Sequence, residues 1–114
     1  DLLYGDDGND LLHGGPGHDT LRGGPGQDSL RGGRGQDELH GGDGADLFYL
    51  SAGRDRILDF TLEQGDRIKI GPNFDLRITQ QGNDLLLNES THGLSINLLN
   101  TSIDNLLQYQ PDLI

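Results

Sequence analysis

The sequence has no cysteine, so no disulfide can hold it together. Aromatic residues make up only 5 % of it, and tryptophan is absent. Basic residues are outnumbered, 8 against 19 acidic, which leaves a formal charge of −11. Few aromatics and a strong negative balance argue against nucleic acid as a partner. No stretch is long or apolar enough for a membrane span. None of the four histidines belongs to a His-Glu-x-x-His pair, so a zinc protease centre is not in this chain. The glycines are followed by no Gly-Lys-Ser/Thr, which excludes a phosphate loop. Their spacing is not three, which excludes a collagen helix. No catalytic constellation is present, and the chain is not expected to be an enzyme by itself. Its 114 residues suit one small domain, yet only 32 % are hydrophobic. A small domain with so little apolar material and no disulfides needs another staple, and a metal ion is the obvious candidate.

What the sequence does have is a repeat. Gly14-Gly15-Pro16-Gly17-His18-Asp19-Thr20-Leu21-Arg22 returns nine residues later as Gly23-Gly24-Pro25-Gly26-Gln27-Asp28-Ser29-Leu30-Arg31. Further copies begin at Gly32 and Gly41, and an earlier one at Gly5 has Asp6 as its second residue. Asp1 to Tyr4 is the tail of one more, so a fragment of a longer protein is expected. The rule is Gly-Gly-x-Gly-x-Asp-x-apolar-x. The glycines let the first six residues turn. The last three can extend, with Leu3, Leu12, Leu21, Leu30, Leu39 and Phe48 pointing inward and their neighbours outward. Strands this short need copies stacked above and below them, as in a solenoid. A flexible acidic linker would not hold such a frame in register over so many copies. The aspartate of each copy supplies a hard oxygen ligand.

The repeat resembles the RTX nonapeptide of proteins exported by bacterial type I secretion. The resemblance implies an all-β fold, a right-handed parallel β-roll with two repeats per turn. It implies several calcium ions, each held between loops one turn apart. Carried onto this sequence, those loops lie eighteen residues apart. Asp10, Asp28 and Asp46 would line one edge, and Asp19, Asp37 and Asp55 the other. Backbone carbonyls would complete the shells, at Gly8, Gly15, Gly17, Gly24, Gly26, Gly33, Gly35, Gly42 and Gly44. Asp7 and Asp43 add carboxylates near the first column. Arg34 and Arg54 add cations near the second, so calcium is expected to bind more tightly along the first.

Leu50 to Leu58 keeps Gly53, Asp55 and Ile57 in frame and reads as a degenerate last repeat, without the leading glycines. Residues 1–58 are thus the repeat region and residues 59–114 a C-terminal capping region of one continuous domain. Asp59-Phe60 opens a segment similar to the one that closes the roll in serralysin-type proteases and in the R-modules of alginate epimerases. That similarity implies a part for Asp59 in binding the last calcium. Gly65-Asp66 reads as a turn into a strand from Arg67 to Ile70, which Pro72 ends. Leu76 to Thr79 and Asp84 to Leu87 read as a hairpin around Gln80 to Asn83. Ser90 to Gly93 is the next turn, and Leu94, Ile96 and Leu98 alternate as a strand. Ile103, Leu106 and Leu107 mark a short helix capped by Thr101 or Ser102. This apolar tail is expected to cover the open end of the roll. Asp112-Leu113-Ile114 is similar to the uncleaved signal read by type I secretion machinery.

Two functions follow as expectations. The first is a secreted, extracellular bacterial module that folds on calcium and serves the stability or export of a longer protein. The second is a carbohydrate-binding module for an acidic, alginate-like polysaccharide, with Arg22, Arg31, Arg34, Arg54 and Arg56 as its cations.

Overall fold

The computed structural model describes residues 1–70, 75–90 and 93–111. Each repeat turns and then extends for three residues, giving β1 (Leu2–Tyr4), β2 (Leu11–His13), β3 (Thr20–Arg22), β4 (Ser29–Arg31), β5 (Glu38–His40) and β6 (Leu47–Tyr49). The second and fourth loop positions take positive φ, for example +86° at Gly15 and +105° at Gly17. Asp6 replaces the second glycine of its repeat and adopts φ +64°, a conformation that aspartate tolerates better than most residues.

Successive repeats alternate between two parallel sheets. One sheet begins β1-β3-β5, the other β2-β4-β6. The register sets Leu3 beside Leu21 and Leu21 beside Leu39 in the first, and Leu12 beside Leu30 and Leu30 beside Phe48 in the second. The apolar row named from the sequence is therefore the core. Leu21, Leu30, Leu39 and Phe48 are fully buried, while Leu3 at the first turn is partly covered.

The degenerate repeat forms β7 (Gly53–Ile57), which starts earlier and runs longer than the strands before it. It joins the first sheet beside β5, and Ile57 continues the inward row next to Leu39. A 3-10 turn (Leu62–Gln64) then delivers β8 (Arg67–Lys69) to the second sheet, where Ile68 sits beside Phe48. The chain continues with β9 (Arg77–Gln81), β10 (Asp84–Glu89), β11 (Leu94–Leu98) and α1 (Ile103–Tyr109). The hairpin is tighter than expected. Gln81 pairs with Asp84, so the loop is only Gly82-Asn83. Ser102, not Thr101, caps α1, accepting a bond from the Asn105 amide. The assigned end of the Arg67 strand at Pro72, part of the turn at Ser90 to Gly93, and Asp112 to Ile114 lie outside the described residues.

The tail meets the end of the roll by extending its first sheet. β11 pairs in parallel with β7, so the first sheet runs on as β7-β11-β10-β9. Leu85, Leu87, Ile96, Leu98 and Leu106 merge with the repeat row in one core. Phe60 packs its ring 5.8 Å from that of Phe48. The edge of β8 is closed by one side chain. Gln110 accepts from the Ile68 amide at 2.9 Å and donates to the Ile68 carbonyl at 3.0 Å, in the manner of a neighbouring strand.

Candidate metal centre

The repeat aspartates stack in two columns at the loops, and the eighteen-residue pairing holds. Asp28 Oδ1 accepts the Asp10 amide at 2.8 Å, and Asp46 Oδ1 accepts the Asp28 amide at 2.9 Å. In the other column Asp37 Oδ1 accepts the Asp19 amide at 2.8 Å, and Asp55 Oδ1 accepts the Asp37 amide at 3.1 Å. One oxygen of Asp28, Asp37, Asp46 and Asp55 thus ties two turns together.

The other oxygen is left bare. Oδ2 of Asp10, Asp19, Asp28, Asp37 and Asp46 is buried and has no hydrogen-bond partner. The first glycine of each repeat makes room for it. A Cβ on Gly5 would stand 2.6 Å from Asp10 Oδ2 and 2.7 Å from the Gly23 carbonyl oxygen. Gly14, Gly23, Gly32 and Gly41 are pinched in the same way against their own aspartates. At the second and fourth positions the carbonyls project toward the following turn. A Cβ on Gly33 would strike the Gly15 oxygen, and one on Gly35 the Gly17 oxygen. Gly24, Gly26, Gly42, Gly44 and Gly53 meet the turn before them likewise. The gap between turns is therefore lined by oxygen. Among the described residues no three His, Asp or Glu side chains converge on one point. Bare carboxylate oxygens amid carbonyls make a donor set for a hard cation.

Electrostatics agree with that geometry. Burial pushes Asp46 up to about 7 and Asp55 up to about 8, and the neighbouring aspartates Asp66, Asp28 and Asp37 add to the shift. Burial likewise raises Asp28, Asp37 and Asp66. Buried carboxylates at one-turn spacing repel one another unless a proton or a cation joins them.

A profile of the RTX calcium-binding nonapeptide repeat matches residues 1–30 and 22–57. The chain belongs to the RTX calcium-binding repeat family. RTX nonapeptides bind calcium, and the several copies here imply several ions. The β-roll is also similar to the solution structure of the AlgE6R3 subunit of the Azotobacter vinelandii mannuronan C5-epimerase. The two are 30 % identical with a TM-score of 0.61, over 99 % of this chain and 82 % of that one. The extracellular lipase LipA of Serratia marcescens matches at 28 % identity and a TM-score of 0.55, over 89 % of this chain. This RTX module spans only 19 % of that lipase. No curated protein matches the chain.

Two acidic residues after the repeats also join the loops. Asp66, read as a turn residue, occupies the place of a repeat aspartate. It is fully buried, and its Oδ1 accepts the Asp46 amide at 2.9 Å. It lies twenty residues on instead of eighteen, because the 3-10 turn inserts two; the frame Gly65-Asp66-Arg67-Ile68 was the available signal. Asp59 spans two loop amides, accepting from Gly41 and from Gly42, both at 2.8 Å. The side chains of Asp7 and Asp43 are exposed.

The five arginines do not form one patch. Arg22, Arg54 and Arg56 lie exposed on strands of the first sheet, and Arg56 is held 3.6 Å from Glu38. Arg34 is on a loop. Arg31 is on the second sheet, 5.0 Å from the centre of the Tyr49 ring, with Lys69 Nζ 5.7 Å from the same ring. Arg67 stands 5.7 Å from the Tyr109 ring. The strands of that second sheet carry no acidic residue.

Proposed function

We propose that this RTX module is a calcium-dependent folding and stability element of a secreted bacterial protein. The observation that carries the reading is the row of buried, bare Oδ2 atoms. Asp10, Asp19, Asp28, Asp37 and Asp46 are the carboxylate ligands, joined by Asp55 at the end of its column. Carbonyls of the second and fourth loop positions, Gly8, Gly15, Gly17, Gly24, Gly26, Gly33, Gly35, Gly42 and Gly44, complete the shells. A buried carboxylate oxygen without a partner is destabilising by several kcal/mol, of order ~2 or more. Ordering nine residues costs about 1–2 kcal/mol each, whereas one buried leucine returns only about 1.5–3 kcal/mol. Calcium supplies what the apolar row cannot, so for the repeats binding and folding are one event. Site affinities in the extracellular range, about 10⁻⁴ to 10⁻³ M, leave the chain open inside a cell and folded outside. This fits export by type I secretion machinery as an unfolded chain. The parent protein is an enzyme in this reading, and the module is its non-catalytic end. Circular dichroism during a calcium titration tests it: the β structure of the repeats should appear with calcium and be lost with EDTA. A full native spectrum in EDTA would end the proposal.

A second reading is binding of an acidic polysaccharide. It is favoured by the acid-free outer face of the second sheet, where Arg31 and Lys69 flank Tyr49, and by the likeness to a mannuronan epimerase subunit. Affinity electrophoresis in mannuronan with calcium present should retard the chain, and an Arg31→Ala, Lys69→Ala double variant should migrate freely.

A further inference from the structure

The carboxylates of this chain fall into two groups. Asp28, Asp37 and Asp46 keep one oxygen on an amide and one oxygen bare, Asp10 and Asp19 also keep Oδ2 bare, and Asp55, at the end of its column, takes only the Ser51 hydroxyl on Oδ2, at 3.4 Å. Asp66 keeps neither bare. Its Oδ1 takes the Asp46 amide, and its Oδ2 takes the Thr61 amide at 2.8 Å, five residues upstream. Asp59 also binds an amide with each oxygen, those of Gly41 and Gly42.

The place of Asp59 in the ladder explains its role. Elsewhere along this edge, the first glycine of a repeat donates to a strand carbonyl of the next turn. Gly5 donates to Arg22 and Gly23 donates to His40, at 2.9 and 2.8 Å. By the same step Gly41 would donate to the Leu58 carbonyl. It donates to the Asp59 side chain, because the chain leaves the repeat frame there for the 3-10 turn. Asp59 supplies the acceptor that the departing backbone no longer provides, and it collects the next amide as well.

We infer that Asp59 and Asp66 are built-in anions that close the last turn in place of a metal, so the C-terminal end of the roll is held without calcium. Each carboxylate is matched by two amide donors, and charge-assisted bonds of this kind are among the stronger ones. A repeat aspartate is complete only when a cation reaches its bare oxygen. The demand for calcium therefore ends at the repeats, and the closed last turn is the template on which they order. This assignment departs from what the similarity to protease and epimerase segments implies for Asp59. It rests on the calcium reading of the repeats.

Two measurements test it. The first counts calcium in Asp59→Asn and Asp66→Asn by isothermal titration. The expected result is the number of ions bound by the unaltered chain, with a weaker midpoint, by roughly three- to tenfold. Loss of one ion in either variant would overturn the inference, while absence of calcium binding in the unaltered chain would instead overturn the calcium reading. The second needs no variant and stands if the variants do not fold. Amide exchange of the unaltered chain in EDTA, read by NMR, should show Gly42, Asp46 and Thr61 protected at least tenfold over Asp10 and Asp19. Equal exchange at all five amides would refute the closed turn.

Discussion

The Asp19 amide donates to Asp37 Oδ1 at 2.8 Å, while Asp37 Oδ2 is buried with no partner. One carboxylate thereby joins two turns through the backbone and leaves its second oxygen for a cation. The division of labour between the two oxygens lets substitutions separate them.

Asp28→Asn should preserve the amide bond from Asp10 and lose the cation site. Its oxygen can still accept, but an NH₂ replaces the bare Oδ2 and faces carbonyls. Asp28 lies between two gaps of its column, so two ions should be affected, and one in Asp10→Asn. The expected shift of the calcium midpoint is at least tenfold for Asp28→Asn and smaller for Asp10→Asn, by circular dichroism during titration. Equal shifts would contradict the column.

Acidity should act oppositely on the metal-free and the calcium-bound chain. Without metal, Asp46 and Asp55 are raised to about 7 and about 8 from an ordinary 3.8, chiefly by burial. The folded state therefore holds protons that the unfolded chain has released. Stability from these groups is fully present below pH ~4 and is lost as the pH rises through about 7 to 8. Calcium must displace the same protons, so its affinity should rise between pH 5.5 and 8. Calorimetry in buffers of different ionisation enthalpy should register proton release on calcium binding.

Glycines of similar φ should differ in their need to be glycine. Gly17 and Gly35 have φ +105° and +121°, yet a Cβ on Gly17 meets nothing within 4 Å and one on Gly35 strikes the Gly17 carbonyl. Gly17→Ala should lose only the left-handed penalty, about 1–2 kcal/mol. Gly35→Ala should lose that and spread two turns, with a total above ~3 kcal/mol. Urea melts in saturating calcium measure both.

Gln110→Ala should open the β8 edge. Two bonds to Ile68 disappear, each worth about 0.5–1.5 kcal/mol net. The expected loss is about 1–3 kcal/mol in a urea melt, with the number of bound calcium ions unchanged. Removing Leu94 to Ile114 should be far more damaging, because β7 then loses its parallel partner β11. If the truncated chain folds at an unchanged calcium midpoint, the cap has no part in ordering the roll.

The period of nine determined the turns, the short strands and their inward row by itself. One apolar residue per repeat can point only inward, and glycines at fixed offsets can only be turns, so the strands and the row from Leu3 to Phe48 were legible. Two repeats per turn, and with them the eighteen-residue pairing and the aspartate columns, came from the resemblance to the RTX repeat. What the tertiary structure decided lies where the period breaks. Asp66 regained the column after a two-residue insertion, and a parallel partner at β6 fixes its register from outside the segment. Asp59 became the acceptor for the Gly41 amide because the strand carbonyl that serves Gly5 and Gly23 has no counterpart there, and it took the Gly42 amide as well. The cap strands read in sequence only as a cover for the open end, since alternation shows a buried face but not its partner. Pairing between β7 and β11 is a contact between distant segments, and only the folded chain could choose it.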